Sequence, residues 1–332
     1  MSRNLESKHD IIKQPKHLLW LNWPIGAFRL DAKSLALYKS LVKGSVAAVR
    51  SEHAFLKALP NATHVVCWEF KKEWFALAPR LRVLATPAAG RELLPTDDEL
   101  PPGVVRVNGA FHGAIMSETV LACMFAYARG LYWAYDRQKE GELWPRSAMS
   151  PHCHIVAGTH AVILGYGKIG RAIGAKLEAL GVKTTGIGRR NVSSLKEVCR
   201  KADWLIVALP SDTGTDDIVD AGVFRALPRR AVLINVGRGN AVDEIALARA
   251  LKGHRIAAAF LDVFKSEPIK KGEPLSADMP GLYRLPHASA FAPEYLSFFF
   301  RELVSSEDFW GCSVGSTGAV RYRTWQGKQR KK

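Results

Sequence analysis

The stretch Ala161-Val-Ile-Leu-Gly165-Tyr-Gly167-Lys-Ile-Gly170-Arg-Ala constrains this chain more than any other. Four apolar residues read as a short buried strand, and three glycines follow at G-x-G-x-x-G spacing. Ile169, Ile173, Leu177 and Leu180 then recur on one helical face until Gly181. The order is strand, tight turn, helix. Gly165 permits the turn, Gly167 lets a pyrophosphate approach the backbone, and Gly170 lets the helix pack closely on the strand. Free N–H groups and the helix dipole favour an anion at that N-terminus. Gly165 to Gly170, with Tyr166, Lys168 and Ile169 between the glycines, is the expected dinucleotide cradle.

The residues downstream continue the pattern. Strand candidates Ala161–Leu164, Thr184–Ile187, Trp204–Leu209, Ala231–Asn235, Ala257–Val263 and Tyr283–Leu285 alternate with helices such as Asp243–Lys252. Six such strands after a glycine fingerprint predict a doubly wound parallel sheet. Upstream, apolar runs at His17–Leu21, Ser45–Val49, Thr63–Trp68 and Leu81–Thr86 alternate with helical stretches at Ala32–Val42 and Lys71–Ala78, forming an α/β unit of their own. A long helix is expected from an N-cap at Ser117 to about Gln138, and a last one over Ala288–Trp310 returning the chain to the first unit. The expected architecture is two Rossmann-like α/β domains. A cofactor domain, residues 116–291, is inserted into a substrate domain of residues 1–115 and 292–332.

The net charge of +16 includes six positive side chains in the tail after Val320. No nucleic-acid motif accompanies that charge, so the expected partners are small anions and a phosphorylated cofactor, not nucleic acid. Five scattered cysteines argue for reduced thiols and a cytoplasmic setting. The first sixteen residues lack the apolar core of a signal peptide, and no stretch reaches the length of a membrane span. His152-Cys153-His154 lacks a second ligand pair at zinc spacing, and no metal is expected.

Cofactor preference is read from the end of the second strand, where an NAD-preferring fold usually has an acid on the ribose hydroxyls. This strand runs Thr184-Thr-Gly-Ile-Gly188-Arg189-Arg190. A glycine stands at the acid's position, and the arginine pair suits a 2′-phosphate. The expectation is NADP(H) in preference to NAD(H).

Three strand ends carry the candidate chemistry: Leu233-Ile-Asn-Val-Gly237-Arg238, Leu261-Asp262 followed by Glu267-Pro268, and Leu285-Pro-His287. An arginine grips a carboxylate in a planar fork, a histidine gives or takes a hydroxyl proton, and a carboxylate holds the ring and favours its charged form. Together they suit reduction of a 2-oxo acid.

Taken in order, Gly165-Tyr-Gly-Lys-Ile-Gly170, Ala202-Asp203 with Leu209-Pro210, Asn235-Val236-Gly237-Arg238-Gly239, Leu261-Asp262-Val-Phe with Glu267-Pro268, and Pro286-His287 resemble the D-isomer-specific 2-hydroxyacid dehydrogenase family, roughly from Leu81 to Ser289. The resemblance implies that Arg238, Glu267 and His287 are catalytic and that the backbone around Ala89 and Gly90 binds the substrate carboxylate beside Arg238. It implies that Leu209, Pro210, Val236, Gly237 and His287 line the cofactor and that Asp262 contacts the nicotinamide carboxamide. Glu118 falls at the acid that opens the family's interdomain helix, and the family is usually dimeric. The implied reaction is NADPH-dependent reduction of a small 2-oxo acid, such as glyoxylate or hydroxypyruvate, to the D-2-hydroxy acid. Arg91 departs from the family pattern and points to a more acidic substrate. The pocket wall is expected near Ala88–Arg91, Asn108–His112 and Phe291. Two alternatives stay open: oxidation of a phosphorylated 2-hydroxy acid in the manner of phosphoglycerate dehydrogenases, and a nucleotide-sensing binding protein without turnover.

Overall fold

Near-continuous apolar runs suit strands whose two faces are both covered, which is the situation in a parallel sheet packed between helices. The computed structural model describes residues 15–90 and 92–310, and it contains two such sheets, each all-parallel. The chain divides into two compact units. One falls within Met1–Gly109 and Leu296–Lys332, and the other is Ala110–Tyr295. Arg91 and the basic residues after Val320 lie outside the described residues.

The first unit runs β1 (Lys16–Trp20), α1 (Ala32–Leu41), β2 (Ser45–Ala48), α2 (Glu52–Ala58), β3 (His64–Cys67), β4 (Val83–Thr86) and β5 (Val105–Asn108), in the sheet order β2-β1-β3-β4-β5. The sequence pattern misses β5: its Val-Arg-Val-Asn run is half-exposed throughout, as befits an edge strand. Lys71–Ala78, expected as an α-helix, is instead a 3-10 stretch over Lys72–Leu77.

The second unit holds α3 (His112–Ala128), α4 (Leu131–Lys139), α5 (Arg146–Met149), β6 (His160–Leu164), α6 (Lys168–Ala179), β7 (Lys183–Ile187), α7 (Leu195–Cys199), β8 (Trp204–Val207), α8 (Ala221–Ala226), β9 (Val232–Asn235), α9 (Glu244–Lys252), β10 (Ala258–Leu261) and β11 (Leu282–Arg284). Helix α10 (Tyr295–Ser305) follows. The six strands stand in the order β11-β10-β9-β8-β6-β7, so the chain reverses direction across the sheet beside β6. Ligands bind α/β sheets at such a switch point, and the glycine fingerprint lies there. Side chains alternate across the sheet. Val162, Leu164, Leu205 and Val207 join a core covered by α7, α8 and α9. Ala161, Ile163, Trp204 and Ile206 join one covered by α3 and α6.

Two expected helices are corrected. The helix placed from Ser117 to Gln138 begins five residues earlier and is broken at Gly130, whose φ of +63° ends α3 before α4 starts. Ser117 is no cap; it is buried, and its hydroxyl donates to the Ala114 carbonyl within the helix. The final helix does not begin at Ala288: the Ala288 and Ser289 N–H groups donate to the Asp262 carboxylate in the turn that follows Pro286. The helix starts at Tyr295, and a 3-10 turn, Asp308–Trp310, follows it. Among the described residues, no helix is long and apolar enough to cross a membrane, and all four described cysteines are free.

The first unit carries a buried histidine pair, His17 and His64, with ring centroids 4.6 Å apart. His17 Nε2 donates to the Lys43 carbonyl at 3.0 Å, and Tyr38 OH lies 3.0 Å from Nδ1. His64 Nε2 donates to the Phe309 carbonyl at 3.1 Å, and the Thr63 hydroxyl lies 2.9 Å from Nδ1. These partners satisfy both rings in the neutral form, each hydroxyl donating to the nitrogen that lacks a hydrogen. Burial lowers both pKa values, and His17 pushes His64 further, to about 4. Below the ordinary histidine value the unfolded chain then binds more protons than the folded one, so stability is complete above about pH 6.5 and is lost as pH falls toward 4. Urea midpoints measured at pH 7.5 and pH 5 should therefore differ, with the lower at pH 5. The difference should shrink in a His17→Gln, His64→Gln double variant, and equal midpoints for the wild type would refute the account.

Candidate active site

The fingerprint forms the turn its spacing predicts. Gly165 has φ +96°, and a Cβ there would lie 2.6 Å from the Ala208 carbonyl oxygen. Gly170 sits against the Gly165 carbonyl, where a Cβ would approach to 2.2 Å. At Gly167 a Cβ would meet nothing within 4 Å, so the backbone at the N-terminus of α6 opens onto free space. That opening, with the free N–H groups of the first helical turn, fits a pyrophosphate. Lys168 is exposed and Ile169 half-buried at the start of α6. Tyr166 turns across β7: a Cβ on Gly186 would fall 2.3 Å from its ring. Leu209 and Pro210 follow β8, and the Leu209 backbone packs directly on Gly237. Val236 is buried, its N–H bonded to the Val207 carbonyl at 3.0 Å.

The position after β7 is open. Gly188 has extended backbone (φ −124°), and a Cβ there would meet no atom within 4 Å. Arg189 and Arg190 are both exposed, and Arg189 pairs with Asp212 at 2.8 Å. An exposed pair of this kind is worth little, which leaves the guanidinium available to a stronger anion.

Arg238 stands in the loop after β9, and a buried asparagine folds that loop. Asn235 Oδ1 accepts from the Gly237 N–H at 3.0 Å, and its Nδ2 donates to the Arg238 carbonyl at 3.1 Å. The guanidinium also donates from Nη1 to the Gly237 carbonyl at 3.0 Å.

Glu267 and His287 meet. His287 Nδ1 lies 2.6 Å from Glu267 Oε2, and the other carboxylate oxygen accepts from the Phe264 N–H at 2.9 Å. Both carboxylate oxygens are thus directed, and the histidine's Nε2 is the ring nitrogen left for proton exchange. His287 has φ +51°, a left-handed conformation held by its own N–H donating to the Asp262 carbonyl at 2.9 Å. Asp262 is only 1% exposed. Its carboxylate accepts from Ala288 N–H at 2.7 Å and from Ser289 N–H at 3.0 Å. The side chain expected to reach the nicotinamide carboxamide therefore has a local duty here: it builds the loop that presents His287.

The remaining expected positions are scattered. Ala89 and Gly90 belong to the other unit, in the turn after β4, where Asn108 Nδ2 donates to the Gly90 carbonyl at 2.8 Å. Glu118 lies inside α3, exposed, paired with Lys176 at 3.1 Å. His152 stacks on Trp133, and His154 on Trp204. Sequence reasoning missed the role of His112, the first residue of α3. It is buried, with its Nε2 2.8 Å from Tyr295 OH, and it lies within the electrostatic influence of Arg238. Burial and then the Arg238 charge push its pKa down to about 4. The only hint in the sequence was the assignment of Asn108–His112 to the pocket wall.

Residues 121–289 match the D-isomer specific 2-hydroxyacid dehydrogenase family, NAD binding domain. The chain is 30% identical over 241 residues to a glycerate dehydrogenase of Methylorubrum extorquens, covering 69% of this chain and 75% of that one. It is 28% identical over 230 residues to a D-3-phosphoglycerate dehydrogenase of Methanocaldococcus jannaschii, covering 65% of this chain and 43% of that longer one. An NADPH-dependent glyoxylate/hydroxypyruvate reductase from Sinorhizobium meliloti, solved in complex with citrate, is 25% identical with a TM-score of 0.66, over 88% of this chain and 92% of that one.

Proposed function

The chain belongs to the D-isomer-specific 2-hydroxyacid dehydrogenase family, and from that premise we propose that it reduces a small 2-oxo acid of the glyoxylate or hydroxypyruvate type to the D-2-hydroxy acid with NADPH. The observation that carries this reading is the 2.6 Å pair of His287 and Glu267, on the same sheet edge as Arg238 and the glycine cradle. When bound, the reduced nicotinamide supplies the hydride that adds to the substrate's C2. Arg238 holds the carboxylate in its planar fork and orients C2. His287, charged, gives its Nε2 proton to the carbonyl oxygen as the C2–O bond becomes single, so the oxo group becomes a hydroxyl. Glu267 accepts from the ring's Nδ1–H and keeps the ring in place, so that Nε2 carries the transferred proton.

Three further features shape the reading. Gly188 stands where an acid would repel a 2′-phosphate, Arg189 and Arg190 follow it, and the structurally similar reductase is NADPH-dependent. A second copy of the chain is the proposed partner. It would cover the apolar side chains concentrated between residues 131 and 155, among them Leu143 at 77% and Trp144 at 82% exposure. Similarity to a D-3-phosphoglycerate dehydrogenase favours one alternative, oxidation of a phosphorylated 2-hydroxy acid, whose reverse is reduction of the phosphorylated 2-oxo acid.

Steady-state assay of NADPH oxidation with glyoxylate, hydroxypyruvate, pyruvate and 3-phosphohydroxypyruvate tests the substrate. Turnover of glyoxylate or hydroxypyruvate is expected, and turnover of the phosphorylated acid alone would favour the alternative. His287→Asn, which tolerates the left-handed backbone, and Arg238→Ala should each lower kcat/KM by about a hundredfold or more with NADPH affinity near that of the wild type. Equal loss of NADPH binding in both variants would defeat the assignment. Gly188→Asp, for which the structure has room, should raise KM for NADPH about tenfold and improve the NADH to NADPH ratio; an unchanged ratio would remove the cofactor argument. Light scattering should report a dimer for the wild type and a lighter species for Trp144→Glu, and a monomeric wild type would exclude the self-association.

A further inference from the structure

His112, within the electrostatic influence of Arg238, has incomplete hydrogen bonding. Its ring is 4% exposed, stacked on Phe111 with centroids 4.2 Å apart and edged by Tyr295 at 5.5 Å. Nε2 is matched with the Tyr295 hydroxyl, but Nδ1 is buried without any hydrogen-bond partner. Burial and the Arg238 charge keep the ring neutral, so it carries a single N–H. If Nε2 holds that hydrogen, Nδ1 is left with an unmet lone pair. If Tyr295 donates instead, Nδ1 is left with an unmet N–H. Neither tautomer resolves the site from within, whereas Asn235, Asp262 and Glu267 are each matched at both side-chain ends. A buried polar atom left unpaired next to a ligand-binding cation calls for a partner that arrives with the ligand.

We propose that His112 is a specificity-determining residue of the 2-oxo acid site, pairing through Nδ1 with an oxygen carried on the substrate's third carbon; this rests on the 2-oxo acid reading above. The assignment follows by elimination among the substrate's polar atoms. Arg238 serves the carboxylate and His287 the C2 oxygen, so a C3 oxygen is the group without a partner. A hydroxyl there both donates and accepts, and it suits either tautomer of a neutral imidazole. Neutrality matters, because a second cation would compete with Arg238 for the carboxylate. Tyr295 fixes the ring from the opposite nitrogen. Phe111 is half-exposed and stacks on the imidazole.

The test is kcat/KM with NADPH for three probes that differ at the third carbon: hydroxypyruvate with a hydroxyl, pyruvate with none, and glyoxylate with no third carbon. His112→Phe keeps the ring stack and removes the nitrogen, and His112→Gln keeps a polar partner. His112→Phe should lower the value for hydroxypyruvate about tenfold and change pyruvate and glyoxylate no more than about twofold, with His112→Gln between. NADPH affinity, read by fluorescence titration, should stay at the wild-type value in both. An equal fall for all three probes, or an unchanged hydroxypyruvate to pyruvate ratio in both variants, would overturn the inference and leave the 2-oxo acid reading in place. Failure of the wild type to reduce any probe would remove that reading and the inference with it. If His112→Phe does not fold, the ratio in His112→Gln decides: a fall supports the inference and constancy refutes it.

Discussion

The buried carboxylate of Asp262 is the interaction on which the edge carrying the candidate active site depends. A carboxylate removed from water is costly unless its lone pairs are met, and here they are met by the N–H groups of Ala288 and Ser289. That requirement bends the chain after β11 back over the end of β10, and the Asp262 carbonyl takes the His287 N–H in the same turn. One strand away, Asn235 imposes a similar fold on the loop that carries Arg238. The candidate reactive side chains are exposed or half-exposed, and they stand on a layer of buried polar side chains, Asn235 and Asp262, whose hydrogen bonds are met. Precision at such a site comes from this supporting layer rather than from the reactive groups themselves.

Environment divides the labour among the histidines. His17, His64 and His112 are buried, and burial holds each one neutral. Two of them close their hydrogen bonds completely and serve the core, and the third keeps one nitrogen open beside a cation. His287 is half-exposed and directed by a carboxylate at 2.6 Å, an arrangement suited to carrying a proton. The same imidazole is thus suited to core filling, polar contact or proton donation, according to what lies within about 4 Å of it.

What the sequence made legible follows from what is local. The glycine turn, the parallel strands behind it and the strand-end residues Arg238, Glu267 and His287 could be read because each adjoins an apolar run whose end marks a sheet edge. Gly188 was legible as the missing acid because it lies at a set distance from the fingerprint. The errors arose where a distant group overrides a local signal. Ser117 looks like a cap, yet its hydroxyl bonds inside the helix. Ala288 and Ser289 look helical, yet Asp262, 26 residues earlier, claims the Ala288 N–H. The His112–Tyr295 pair spans 183 residues, and no pattern in the chain announces it.

The discontinuous first unit has a consequence for the order in which the molecule can be completed. The Phe309 carbonyl that receives His64, and the Phe300 ring 4.8 Å from Tyr38, come from a segment made only after all of Ala110–Tyr295 has been synthesised. During translation the inner unit is fully present while the outer one still lacks part of its interior. Chains emerge N-terminus first, and domains tend to fold as units on emergence. Here residues 15–109 leave the ribosome before the second unit, yet they belong to the unit that is finished last. Until the closing segment arrives, His17 and His64 face an unfilled core, and a chain cut short before residue 296 would keep the whole of Ala110–Tyr295 and all five strands of the first sheet while leaving that sheet's core unfilled.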